Sequence, residues 1–459
     1  MSLGIVYNYF INKLNFKIMK RNAWLPFLVA GGFLLFASCD VDDTPVVGDP
    51  TEPTDPAGVQ TVEWTAEQVR MISRNSGNTI PRVDFDEGVD VMPGYHQWDY
   101  WPILNLDGSI ANINGYRVMI VLTAPDTVLS GKRHDIVRHR YAISSDGVNW
   151  EDKGMVFTED EIIGSRQWAG AAYYDQGQVY FYYTATGDKG ENMEGRLSSD
   201  PNPGDLSYDQ RIALATAQVS GEAGTVNFEN YSQHSVILEA DGQIYQEATG
   251  IDETGTVFAM RDPFVYRDPE TNKFYMTFTA REAGDITTYN GAVGLAEAVD
   301  NDLTNWRLLP PLVVTDINSE LERPHFILYE NRYYLYFSTH IEKFSPEVMD
   351  RVNSPEGMYG FVADDFLGPY EPLNGSALVA ANPVEDPYAT FSWHVLQDNT
   401  VLSNTNYYNI QPGLEVGDFG ALGEDWDRRH FGGTLAPRLV LSVDGNEVTL
   451  TNTLPPSLP

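Results

Sequence analysis

Cysteine is nearly missing from this chain. Of 459 residues only Cys39 carries a thiol, which excludes an intrachain disulfide and leaves no Cys/His spacing for a zinc site. Basic residues are also scarce, 29 Lys and Arg against 65 Asp and Glu, for a formal charge of -36. Such a surface repels phosphate backbones and anionic lipid alike, so no nucleic-acid partner is expected. A neutral ligand such as a sugar is compatible with it. Long apolar runs are absent too, apart from residues 23–37, which fall short of the roughly 20 needed to span a bilayer. Aromatic residues, by contrast, make up 12% of the chain and glycine is plentiful, which suits a strand-rich fold with a large core.

The apolar run at 23–37 follows Lys20 and Arg21 and ends in Leu35-Phe36-Ala37-Ser38-Cys39. This pattern resembles a lipoprotein export signal cleaved before a lipid-modified cysteine, and it gives the lone thiol a purpose. Residues 1–38 are therefore expected to be a signal region, with Met19 a candidate start. Residues 39–61 are acidic and Pro-rich, too poor in apolar side chains to fold, and read as an extended tether. The expected product is an exported lipoprotein of the envelope or surface of a Gram-negative bacterium. Its only membrane contact would be the lipid on Cys39, and a monomer is expected.

From Val62 to Pro459 the composition is globular. One early helix is expected over 65–73, with Thr65 as N-cap and Glu67 and Gln68 in its first turn. Thereafter short β-branched or aromatic runs dominate, at 118–123, 179–184, 274–279, 333–338 and 438–443. Asp146-Gly147 and Asp444-Gly445 mark turns, the second joining two C-terminal strands. Three runs are alike: those starting at Val179, Phe274 and Tyr333 alternate aromatics and end in small hydroxyl residues. Their spacing is irregular, which excludes a fixed-period solenoid. Recurrent antiparallel sheets of this kind fit an all-β propeller, with a jelly roll or barrel as the alternatives.

Three acidic residues stand in unusual company: Asp99 in Trp98-Asp99-Tyr100-Trp101-Pro102, Asp262 in Met260-Arg261-Asp262-Pro263, and Glu322 in Glu320-Leu321-Glu322-Arg323-Pro324-His325. Each alone reads equally well as a turn or a surface ion pair. Together with Gln167-Trp168-Ala169-Gly170, Ser338-Thr339-His340 and 432–437, in that order, they resemble glycoside hydrolase family 68, the levansucrases, inulosucrases and related sucrose-cleaving enzymes. The resemblance spans most of 62–459.

That resemblance implies a five-bladed β-propeller with the acids converging in an axial pocket. It implies a retaining fructosyltransferase that takes sucrose, releases glucose, and passes fructose to a fructan or sugar acceptor. In those roles Asp99 is the nucleophile, Asp262 the transition-state stabiliser, and Glu322 the general acid and base. Retention needs both a carboxylate that forms a covalent glycosyl-enzyme and a protonated carboxyl that frees the leaving group. Glu322 should therefore sit where its pKa is raised. Trp98, Trp168, Arg261, Glu320, Arg323 and His340 are the implied substrate-binding residues, His340 at the outer subsite.

Departures from the family pattern also matter. Ala169 replaces a serine expected to hydrogen-bond the nucleophile, and Phe391-Ser392-Trp393-His394 replaces a Tyr-Ser-His pattern expected to line the outer pocket. Ser319 and Thr256 stand where some relatives place calcium-binding aspartates, so no calcium, no other metal and no cofactor is expected. A sucrose hydrolase (β-fructofuranosidase) with the same donor site is the alternative that shares all of these residues; a non-catalytic surface glycan-binding propeller is a remote one, against which the intact acid triad argues.

Overall fold

The computed structural model describes residues 58–191, 206–221, 224–251, 256–284, 288–411, 413–419 and 421–459. They belong to one compact unit, Thr54–Pro459. The expected signal region, Cys39 and nearly all of the tether lie outside the described residues. Gln60 and Thr61, placed in the tether by composition, are already docked: the Gln60 amide donates to the Leu367 carbonyl at 2.8 Å, and Thr61 Oγ1 to Pro311 O at 2.7 Å. Among the described residues no helix is long and apolar enough to cross a membrane.

The chain folds as a five-bladed propeller. Its innermost strands, in sequence order, are Tyr95–Asn105, Arg166–Asp175, Met260–Arg267, Glu322–Tyr329 and Thr390–Val395. Each is followed outward by antiparallel neighbours in sequence order. The first two blades merge into one nine-stranded sheet, because Ile103–Asn105 pair in parallel with Ala172–Tyr174. The N-terminal strand Val62–Trp64 adds in parallel to the outer strand Trp306–Thr315 of the third blade. The ring closes between blades five and one, where Gln97 N donates to Gly433 O and Leu458 N to Gly147 O, both at 2.8 Å.

The local signals work as expected. Thr65 and Gln68 form a reciprocal capping box on a helix that covers only Ala66–Arg70. The strands Arg438–Asp444 and Glu447–Leu454 pair through a tight turn, with Gly445 at φ 59. The three similar aromatic runs occupy equivalent places, as the second strands of blades two, three and four: Gln178–Thr186, Phe274–Arg281 and Arg332–Thr339. Such strands are covered by neighbouring blades on both faces, which is why they read as nearly continuous aromatic and aliphatic runs.

Each innermost strand is interrupted at the same level by a β-bulge. The pairing register shifts between Trp98 and Tyr100, Trp168 and Gly170, Arg261 and Phe264, Glu322 and His325, and Phe391 and His394. Four of the bulged residues have left-handed backbone: Asp99 (φ 34), Asp262 (φ 58), Arg323 (φ 53) and Ser392 (φ 62). A bulge re-aims its side chains and leaves its amide outside the ladder. A buried amide needs a partner, and here the preceding blade supplies it. Asp262 N donates to Thr184 Oγ1 at 2.9 Å, Arg323 N to Thr279 Oγ1 at 3.1 Å, Trp393 N to Ser338 Oγ at 3.1 Å, and Asp99 N to Asn404 Oδ1 at 3.3 Å. The equivalent residue of the first blade is Leu122, opposite Trp98.

Thr184→Val keeps the side-chain shape and removes this acceptor from a fully buried site. The expected cost is about 1–3 kcal/mol, the penalty for an unsatisfied buried donor. Thr184→Ser should recover most of it. Chemical denaturation of the three proteins checks this; a valine variant as stable as wild type would show that the bulge needs no such partner.

Candidate active site

The bulged strands bring their side chains to a cavity of about 360 Å³ on the propeller axis. Residues before and at four of the bulges line it in pairs: Trp98-Asp99, Trp168-Ala169, Arg261-Asp262 and Glu322-Arg323. Glu320, His340 and Phe391 also line it. The three acids and the six residues expected to bind substrate therefore all line one pocket. Cys39 lies outside the described residues.

Arg261 is the hub of the acids. Its Nη2 lies 2.7 Å from Glu322 Oε1 and 3.2 Å from Glu320 Oε1, and its Nε lies 3.5 Å from Asp262 Oδ2. Asp262 Oδ2 also accepts from Thr279 Oγ1 at 2.9 Å and from Arg323 N at 3.3 Å. Two donors of the Arg323 guanidinium are engaged elsewhere: Nη1 with Ser392 Oγ, and Nη2 with Tyr100 O at 3.3 Å. Arg323 thus ties three blades together besides lining the cavity.

Charges in this cluster settle in opposite directions. Burial pushes the Glu322 carboxyl up to about 7; Arg261 and His340 pull against this, while Glu320 and Asp262 add to it. Burial likewise raises Asp262, against the opposing pull of Arg261. For Glu320 burial is outweighed by Lys343 and Arg261, and its carboxyl is held well below the usual range. Lys343 Nζ sits 3.0 Å from Glu320 Oε2. One carboxyl that holds its proton up to about pH 7 beside another kept ionised is an arrangement suited to general acid chemistry.

The aromatic wall is equally ordered. Trp168 Nε1 donates to His134 O at 3.1 Å, and the His134 ring sits edge-on between the two indoles, 5.4 Å from Trp98 and 6.3 Å from Trp168. The His340 ring stacks on Phe391 at 3.6 Å and 9°. Its Nε2 lies 4.0 Å from Glu322 Oε2, and its Nδ1 lies 3.0 Å from Glu356 Oε2. Of the 391–394 segment, only Phe391 lines the cavity; Ser392 braces Arg323, and His394 stacks against His325 at 4.4 Å. The expectation that the whole segment lines the outer pocket is corrected by the bulge, which sends alternate side chains between blades.

Several residues escaped the sequence reading. Thr184, Thr279 and Asn404 seat the bulges, Lys343 holds Glu320, and Arg133 and His134 form the rim. The hydroxyl endings of the aromatic runs and the position of Lys343, three residues after His340, were the available signals.

A family model described as Levansucrase/Invertase, that of glycoside hydrolase family 68, matches residues 54–290 and 282–454. Levansucrase LscA of Pseudomonas savastanoi pv. glycinea is 30% identical over 395 residues, covering 76% of this chain and 84% of that protein. The solved inulosucrase from Halalkalicoccus jeotgali bound to kestose is 37% identical, with a TM-score of 0.78 over 87% of this chain and 98% of that one. The levansucrase from Gluconacetobacter diazotrophicus, 20% identical, shares the fold, with a TM-score of 0.70 over 86% of this chain and 91% of that one. With the family match covering nearly all of the globular chain, this protein belongs to glycoside hydrolase family 68.

Proposed function

We propose that the protein is a retaining fructosyltransferase of the levansucrase type. It cleaves sucrose, releases glucose, and transfers fructose to a growing fructan or another sugar. The observation that carries this reading is the meeting of Asp99, Asp262 and Glu322 in one axial pocket, from equivalent bulges of three blades.

In this reading Asp99 attacks the anomeric carbon of the fructosyl unit as the bond to glucose breaks, and Glu322 gives its proton to the departing glucose oxygen. An acceptor hydroxyl then attacks the fructosyl-Asp99 ester, loses its proton to Glu322, and frees the Asp99 carboxylate. Asp262, fixed by Thr279 and Arg323, holds fructosyl hydroxyls as positive charge develops at the ring; such a group is worth about 10²–10³ in rate. Trp98 and Trp168 offer flat faces to the sugar rings. Arg261, Glu320, Arg323 and His340 contact the glucosyl or acceptor unit.

The purified protein should consume sucrose and release glucose well in excess of free fructose, the difference appearing as oligosaccharide or fructan. Asp99→Ala should abolish glucose release while the fold persists. Equal glucose and fructose would make the protein a hydrolase with the same donor site. Sugar binding without turnover would make it a glycan-binding propeller.

Glu322 must be protonated when glucose leaves. A carboxyl raised to about 7 is protonated below that pH, so kcat/KM for sucrose should fall as pH rises through about 7. Glu322→Gln should lose this limb and impair sucrose far more than a fructosyl donor with a good leaving group. Equal losses on both donors would deny Glu322 the acid role.

We further propose that the protein is exported and held by lipid on Cys39, with residues 40–58 as the spacer. The support is the coincidence of a basic flank, an apolar run, small residues and the sole cysteine. Cys39→Ser should abolish incorporation of labelled fatty acid; retained label would place the anchor elsewhere or nowhere.

A further inference from the structure

Glu356 immediately precedes the strand Gly357–Ala363 of the fourth blade. Its side chain is completely buried, with 0% exposure. Among the described residues its one ion-pair neighbour is His340, whose Nδ1 lies 3.0 Å from Glu356 Oε2. At that separation each group favours the charged form of the other. A buried carboxylate is strongly disfavoured unless a cation compensates it.

His340 is therefore held from two sides. Phe391 covers the face of its ring, and Glu356 takes its Nδ1 edge. The opposite nitrogen, Nε2, is left toward Glu322 at 4.0 Å. The titratable groups around the ring are Glu322 on the innermost strand, Glu342 two residues on, Glu356, and His134 across the cavity; Lys343 is taken up by Glu320.

Resting on the fructosyltransferase reading, we infer that Glu356 is a positioning residue that keeps His340 as an imidazolium with Nε2–H aimed into the pocket, and so favours sugar acceptors over water. In the second half-reaction the acceptor hydroxyl must lie beside Glu322, which takes its proton as the new glycosidic bond forms and the Asp99 ester breaks. A fixed Nε2–H donates to that hydroxyl oxygen and orients it. Water is small enough to reach the ester without this guidance, so losing the donor weakens transfer more than hydrolysis.

Burial lowers the His340 pKa, but Glu356 and then Glu342 outweigh it and raise it to about 9, which agrees with a charged ring; burial lifts the Glu356 carboxyl itself to about 7, against the pull of His340. That charge lowers the neighbouring Glu322 carboxyl. A bound metal explains the cluster less well, although ligand atoms of His340, Glu342 and Glu356 lie within 4.8 Å of one another. Tetrahedral bonds of 2.0–2.1 Å would hold two ligands about 3.3 Å apart, whereas Nδ1 and Oε2 are already closer, at 3.0 Å.

The test is Glu356→Gln in the full chain, measured with sucrose across pH by glucose release and free fructose. The ratio of transfer to hydrolysis should fall at least about tenfold, as for the loss of one charge-assisted hydrogen bond. The basic limb of kcat/KM should move to higher pH by about one unit, because Glu322 loses a neighbouring cation. Glu356→Asp should restore both in part, and in a His340→Ala background Glu356→Gln should change neither. A ratio and limb equal to wild type would overturn the inference. So would a uniform loss of rate and thermal stability with the limb unmoved, an equal effect in the His340→Ala background, or a partition sensitive to EDTA. Absence of glucose release from wild type would instead refute the fructosyltransferase reading itself.

Discussion

The hydrogen bond from a bulge amide to a side chain of the preceding blade is the interaction on which the site depends. A bulge turns Asp99, Asp262 and Arg323 toward the axis, and turning them removes their amides from the ladder. Thr184, Thr279 and Asn404 then fix each amide from the preceding blade. The residues proposed to carry the chemistry are thus positioned by contacts between blades, and the precision of the pocket is a property of the whole ring. Thr279 serves twice: the same oxygen that accepts from Arg323 N donates to Asp262 Oδ2.

Once the acids are assembled, electrostatics assigns them different states. Arg261 touches Glu320, Glu322 and Asp262, so the guanidinium alone cannot distinguish them. Lys343 breaks the tie by pairing with Glu320, which stays ionised and leaves burial to dominate at Glu322. Coulomb energy between close charges in a dry pocket is large enough to enforce such a split.

Much of this was legible before any coordinates. The aromatic runs at 179, 274 and 333 read as recurring strands, because side chains covered on both faces must be apolar along their length. The acidic motifs read as a site through their order and their resemblance to a family. The partners of the bulges did not, since Thr184 and Asp262 are 78 residues apart and nothing local links them. Nothing in the sequence around Glu356 signals its complete burial, which comes only from the packing around it. The tether likewise reads as unstructured up to 61, although Gln60 and Thr61 spend their hydrogen bonds on blades three and four, more than 200 residues away.

The central claim is that fructose passes through a covalent bond to Asp99, made and broken with the help of Glu322. It is tested most directly by supplying Glu322→Gln with a fructosyl donor whose leaving group needs no proton, quenching in acid, and mapping the peptides by mass. Bond formation then proceeds while its release is slowed. One fructosyl unit on the peptide that carries Asp99 is the predicted result. Label on the peptide that carries Asp262, or turnover with no label at all, would contradict the account.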